Sequence, residues 1–156
     1  MLLFLDFDGV CHRLGAPVDE LFRRSEALLE PWLRERPGVD VVVSSSWRES
    51  KEYPLEAMRG FFGSDLRARL VGTTPVIRHD EWAQFDGELG PTRFERELEV
   101  RRWLAGSGQP WRPWAALDDV AALYRPDCKN LVVCDGRQGM TANDLVTVDA
   151  ILRRQA

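Results

Sequence analysis

An apolar run that ends in two acids, Leu2-Leu3-Phe4-Leu5-Asp6-Phe7-Asp8-Gly9-Val10, constrains this chain more than any other stretch. Four apolar residues closed by turn residues predict a buried strand. Its carboxyl end presents two carboxylates one residue apart. Alternate strand residues point to opposite faces, but Gly9 lets the chain turn at Asp8, so both acids can reach one pocket. In an open α/β sheet that pocket lies beyond the carboxyl ends of the strands. The plainer alternative makes Asp6 a helix cap and Asp8 a solvated turn residue. Only the rest of the chain discriminates between them.

Four more runs read as strands. Val39 to Val43 is β-branched almost throughout and reads as a strand buried on both faces. It runs into Ser44-Ser45-Ser46-Trp47-Arg48. Serine hydroxyls and free backbone N–H groups ahead of a helix suit an anion, and helix capping by serine is compatible with that. Trp47 reads as packing, and Arg48 as a surface charge or a second phosphate contact. Trp114-Ala115-Ala116-Leu117 ends in Asp118-Asp119, the second place where a strand delivers two acids. Adjacent like charges destabilise one another unless a cation or donors compensate. Two acid pairs at two strand ends therefore point to a divalent metal, and hard oxygen ligands suit Mg²⁺. Asn130 to Cys134 is a final strand, and Val71-Gly72 is a short third one.

Helices are expected between the strands. Asp19 can cap a helix whose face carries Leu21, Ser25, Leu28, Leu29, Trp32 and Leu33, with Pro31 kinking it or starting a second segment. Residues 50 to 70 read as helical, interrupted at Pro54, Gly60 and Gly63. Thr92-Arg93-Phe94-Glu95 has the spacing of a capping box, opening a helix with Val100, Trp103 and Leu104 inward. Arg96 lies one turn before Val100 on that face, aimed along the sheet toward the strand ends or snorkelling over the core; Arg93 is the alternative. Thr141 to Asp144 caps the last helix, packed through Leu145, Val148, Ile151 and Leu152. Strands alternating with helices predict a parallel sheet. Two connections read as irregular. Cys11 to Pro17 is a flap whose His12 has no partner in sequence and reads as a bystander. Thr73 to Pro91 is loop-like, with Trp82 and Phe85 plugging the surface or lining the site mouth.

At 156 residues the chain is expected to form one domain, residues 1–156. A chain of this size buries roughly 68–70% of its unfolded surface, so it needs no staple. A net charge of −4 argues against a protein that coats nucleic acid non-specifically. Cys11, Cys128 and Cys134 are at no metal-ligand spacing and read as free thiols in a reducing compartment. Asp6 interrupts the apolar start and no basic residues precede it, so it does not read as a signal peptide. No apolar run approaches membrane-spanning length. The expectation is a cytoplasmic protein without a membrane partner.

Four features lie in chain order at strand ends or a helix start: Asp6/Asp8, the Ser44–Ser46 cluster, Arg96 and Asp118/Asp119. This ordered set resembles the haloacid dehalogenase-like (HAD) superfamily of phosphohydrolases. Asp6-Phe7-Asp8-Gly9-Val10 is similar to its first motif, the serine cluster to its second and Leu117-Asp118-Asp119 to its fourth; Arg96 stands where the family has a lysine or arginine. Ser45-Ser46-Trp47-Arg48 and the helix Arg96-x-x-Glu99-Val100-x-x-Trp103-Leu104 look most like the small HAD domains associated with RNA repair proteins.

The resemblance implies a Rossmann-like core with helices on both faces of a parallel sheet. It implies Asp6 as the nucleophile forming an aspartyl-phosphate, and Asp8 as general acid and then general base. Mg²⁺ would be held by the Asp6 carboxylate, the Asp8 backbone carbonyl and Asp118/Asp119. Phosphate oxygens would be held by Arg96 and by Ser45 or Ser44, counting from Trp47 or from the strand end. The intervals from Val10 to Asp19 and from Arg48 to Pro91 are short or broken for a cap domain, so no large cap is expected. An open site could admit a terminal phosphate on a nucleic acid or nucleotide, with Arg48, Arg93 and Arg96 as a local positive patch and Trp82 or Phe85 stacking on a base. A phosphoprotein or small metabolite is the alternative substrate. A receiver domain would carry its phosphate-accepting acid on a central strand after an early acid pair, which this order does not match. A catalytically inactive HAD-fold binding module is the remaining rival, although both leading acids are present.

Overall fold

The computed structural model describes residues 1–77 and 94–156. Five short strands form one parallel sheet: β1 (Leu2–Leu5), β2 (Asp40–Val43), β3 (Leu70–Thr73), β4 (Trp114–Asp118) and β5 (Leu131–Val133), in the order β3-β2-β1-β4-β5. β1 is central and pairs along its whole length on both sides, Leu5 opposite Val43 of β2 and Leu117 of β4. This register sets the site. The residues after Leu5, Val43 and Leu117 are Asp6, Ser44 and Asp118, so one crevice receives all three.

The sheet is covered on both faces, as the apolar strands require. Leu2 and Phe4 of β1 face α3 (Glu95–Gly106), packing with Val100, Leu104, Trp114 and Tyr124. Leu3 and Leu5 face the other way, toward Leu33 of α1 (Glu30–Arg34), Met58 of α2 (Leu55–Arg59) and Val148 of α4 (Ala142–Gln155). All four β1 side chains are fully buried, each contributing about 1.5–3 kcal/mol of transfer free energy. α4 begins with the expected capping box between Thr141 and Asp144.

Several expected helices are shorter than the pattern implied. Asp19 caps nothing; it lies in a 3-10 turn, Val18–Glu20, capped by Pro17. A π turn, Ser25–Leu29, then leads into α1. Pro31 has no N–H to give, and the wider turn ahead of it absorbs that loss. The stretch from 46 to 70 holds only α2 and two 3-10 turns, Ser46–Glu49 and Arg67–Arg69. α3 starts after Phe94 without a side-chain cap. Thr92 and Arg93 of the expected capping box, and Trp82 and Phe85, lie outside the described residues. No helix among the described residues is long and apolar enough to cross a membrane.

Candidate active site

Asp6 leaves β1 on the face of Phe4, toward α3. Only 7% of it is exposed. One carboxylate oxygen accepts from the Phe7 N–H at 2.8 Å. Ligand oxygens of Asp6, Asp118 and Asp119 lie within 4.8 Å of one another. Burial pushes the Asp6 carboxyl up to about 7, and the neighbouring Asp118 charge adds to this; Arg96, the Phe7 N–H and the Ser45 hydroxyl oppose it. Burial also raises Asp118 and Asp119, with a neighbouring aspartate reinforcing each shift. Three carboxylates that resist ionising together are the electrostatic signature of a site for a cation.

Each acid is held by its own local structure. Asp118 Oδ1 accepts from the Val120 N–H at 2.9 Å, and Oδ2 from the buried Tyr124 hydroxyl at 3.3 Å. Asp119 is seated between two glycines. A Cβ at Gly9 would stand 2.2 Å from Asp119 Oδ2, and one at Gly136 2.5 Å from the same atom. Gly9 also has a φ of +70°, which side chains rarely adopt. Both positions need glycine for the carboxylate to reach the cluster. The donors are hard oxygens on a rigid frame, a set that fits Mg²⁺.

The basic and hydroxyl partners meet the same crevice. Arg96, in the first turn of α3, is buried with Nε 4.0 Å from Asp118 Oδ2 and 3.9 Å from Glu99. Burial works against its charge, but Asp6 and Asp118 outweigh it and the pKa rises. Its Nη1 is buried without a hydrogen-bond partner among the described residues, a donor that an oxyanion would satisfy. The Ser45 hydroxyl lowers the Asp6 pKa, and it accepts from the Trp47 N–H at 3.4 Å to cap the turn. Ser44 is fully buried and its hydroxyl has no partner among the described residues.

Arg48 departs from both roles expected of it. Its side chain is only 3% exposed and is fully engaged. Nε donates to the Thr74 carbonyl at 3.1 Å, and Nη1 to the Ser44 and Ser45 carbonyls at 3.2 and 2.6 Å. Nη2 donates to Glu99 at 2.5 Å. Arg48 clasps the ends of β2 and β3 to α3 and has little donor capacity left for a phosphate. Sequence could not show this, because the buried partner, Glu99, lies about fifty residues away.

Asp8 occupies different surroundings. It is outside the three-carboxylate cluster, its side chain is 46% exposed, and both oxygens are held. Trp47 Nε1–H donates to Oδ2 at 2.7 Å, and His12 Nε2 lies 3.0 Å from Oδ1. Trp47 packs as expected and in addition donates to Asp8, while His12, expected to be a bystander, meets the same carboxylate. The i, i+4 spacing of Asp8 and His12 and the position of Trp47 beside the serine cluster were the available signals.

The family model for the HAD domain in Swiss Army Knife RNA repair proteins matches residues 2–145. No curated protein matches the chain. The match spans all five strands and every acid of the crevice, so the chain belongs to the family of HAD domains found in Swiss Army Knife RNA repair proteins.

Proposed function

We propose that this protein is a Mg²⁺-dependent phosphohydrolase that uses Asp6 as nucleophile on a terminal phosphate of a nucleic acid or nucleotide. The observation that carries this reading is the buried Asp6 carboxylate within 4.8 Å of Asp118 and Asp119, with the unpartnered Arg96 Nη1 nearby. The family supports phosphohydrolase chemistry, and its description supports a nucleic-acid setting.

The roles follow from the environments. Asp6 Oδ attacks phosphorus, the ester P–O bond breaks, and the leaving oxygen takes a proton from the Asp8 carboxyl. Water then attacks the acyl phosphate, giving its proton to Asp8 and returning Asp6 as a carboxylate with free phosphate. Asp6 sits among acids where it must lose a proton before it can attack. Asp8 is half-exposed, where a leaving group and a water can reach it. Arg96 and Ser45 offer N–H and O–H donors to the non-bridging oxygens. Asp6, Asp118 and Asp119, with the Asp8 carbonyl, would hold Mg²⁺, which supplies the charge that offsets repulsion between carboxylate and phosphate.

Hydrolysis of phosphate monoesters is so slow unaided that enhancements up to ~10²¹ are known; no single acid or donor supplies that. The substrate class is tested by comparing kcat/KM for 3′- and 5′-phosphorylated oligonucleotides with that for a simple sugar phosphate. The expected result is a preference for an oligonucleotide. A tenfold preference for the sugar phosphate, about 1.4 kcal/mol, overturns the nucleic-acid part of the proposal.

A further inference from the structure

We infer that His12 and Trp47 are positioning residues that fix the Asp8 carboxyl for proton delivery to the leaving group. The inference rests on the phosphohydrolase reading for its kinetic consequence, but the contact itself can be tested without it.

A half-exposed aspartate on a turn is ordinarily free to change rotamer, and ordering it carries an entropic cost. A proton delivered from a wandering carboxyl loses the benefit of fixed geometry. Here each carboxyl oxygen has its own partner, approaching from a different part of the chain. Trp47 comes from the turn after β2. Its indole is locked by rings on several sides: Phe7 at 5.7 Å, Phe22 at 5.7 Å, Tyr53 at 4.7 Å and Phe61 at 5.7 Å between centroids. The indole N–H can only donate, so Trp47 can serve Asp8 and cannot compete with it for a proton.

His12 comes from the flap and is 3% exposed. Its Nδ1 accepts from the Phe22 N–H at 3.4 Å. That contact assigns the remaining ring proton to Nε2, the nitrogen that faces Asp8. Phe22 is held in an unusual conformation to do this, with a φ of +61°. Such a backbone costs on the order of 1–3 kcal/mol in a bulky residue and persists only where the surroundings over-determine it. The stacked ring of Phe61, 4.5 Å away, is one such constraint. Strained residue, tautomer and carboxylate thus form one chain of contacts ending at Asp8.

The kinetic test compares two esters of nearly one shape, phenyl phosphate and 4-nitrophenyl phosphate, with Mg²⁺. The nitrophenolate leaves with little help, whereas the phenolate needs a proton. kcat/KM reports the steps up to phosphorylation of Asp6, where Asp8 acts as acid. Trp47→Phe keeps a ring and removes the N–H; His12→Leu removes the second donor. In each variant the loss for phenyl phosphate should exceed that for 4-nitrophenyl phosphate by tenfold or more. His12→Gln, which returns an N–H near the Nε2 position, should recover much of that difference. Equal losses on both esters overturn the inference, because a merely structural role does not read the leaving group. If the wild type hydrolyses neither ester, a second measurement decides the contact, and the phosphohydrolase reading itself fails only if phosphorylated oligonucleotides are left intact too. The indole N–H proton resonance of Trp47, identified by its absence in Trp47→Phe, should move upfield in Asp8→Ala. An unmoved resonance overturns the inference whatever the activity.

Discussion

The two sides of the β1 exit solve opposite problems with residues that are sequence neighbours. On the α3 side, Asp6 meets Asp118, Asp119 and Arg96, and burial makes charge expensive. On the flap side, Phe7 meets Phe22, Trp47, Phe61 and Phe62, and Asp8 is held by Trp47 and His12 at the edge of the rings. Strand alternation sends Asp6 and Phe7 to different faces, and the turn at Gly9 brings Asp8 back within reach. Two acids of identical chemistry thereby acquire different work: one buried among charges, the other exposed and held.

The sharpest way to break this contrast is to neutralise the charged side. Asp6→Asn should lower turnover by ~10⁴-fold or more, as loss of a nucleophile does elsewhere, while the fold is kept. Assay of phosphate release with Mg²⁺ checks it, and activity near wild type, or full activity in excess chelator, removes Asp6 or the cation from the mechanism.

Next in size is the clasp behind the charged side. Arg48→Met leaves Glu99 buried with Arg96 Nε at 3.9 Å as its nearest remaining cation among the described residues, and removing one partner of a buried pair costs about 3–5 kcal/mol. Denaturant unfolding should show that loss, and Glu99→Leu added to Arg48→Met should restore part of it. A phosphate-binding arginine would behave differently, raising KM with stability kept.

The smallest effect separates the two acids by pH. The folded pKa of Asp6 is raised from 3.8 to about 7, so its proton stabilises the fold fully below about 4, and that contribution is lost as pH rises through about 7. Asp118 shifts in the same direction. Surface carboxylates such as Asp65 and Asp135 are lowered by Arg34 and Arg137 and work in the opposite sense. The informative quantity is therefore the difference between proteins. Between pH 5 and 8, in chelator, wild type should lose more stability than Asp6→Asn, by roughly 2 kcal/mol, read as thermal midpoints; parallel curves contradict the shift.

How much of this could be read in advance depended on the range of the interaction. β1, β2, β4 and β5 are coded by local runs of apolar and β-branched residues, and Asp6 and Asp118 by their place at the ends of those runs, so the sheet and the acid cluster were legible. The capping box at Thr141 spans three residues and was legible too. Phe22 was not: nothing local marks a phenylalanine for a φ of +61°, which follows from the rings around it. Without that break, the sequence after Asp19 reads as one amphipathic helix as far as Pro31, which kinks it or starts a second segment. Arg48 was misjudged for a related reason: a charged side chain looks external until its partner is known, and Glu99 lies 51 residues away. Trp47 packs as expected, but its indole N–H contact to Asp8, 39 residues away, was not legible.

The central position of β1 also orders the assembly of the chain in time. β1 and β2 can pair early, but the β1–β4 ladder joins segments over a hundred residues apart, and such long closures come slowly. A chain that has emerged only as far as β3 carries Asp6, the serines and Trp47, yet none of the Asp118/Asp119 pair. The half-site is electrostatically quiet: Asp6 lacks the full burial and the Asp118 charge that raise its pKa in the completed sheet. The three-carboxylate cluster is therefore a property of the completed sheet. During refolding, return of phosphatase activity should trail the recovery of secondary structure and coincide with docking of β4.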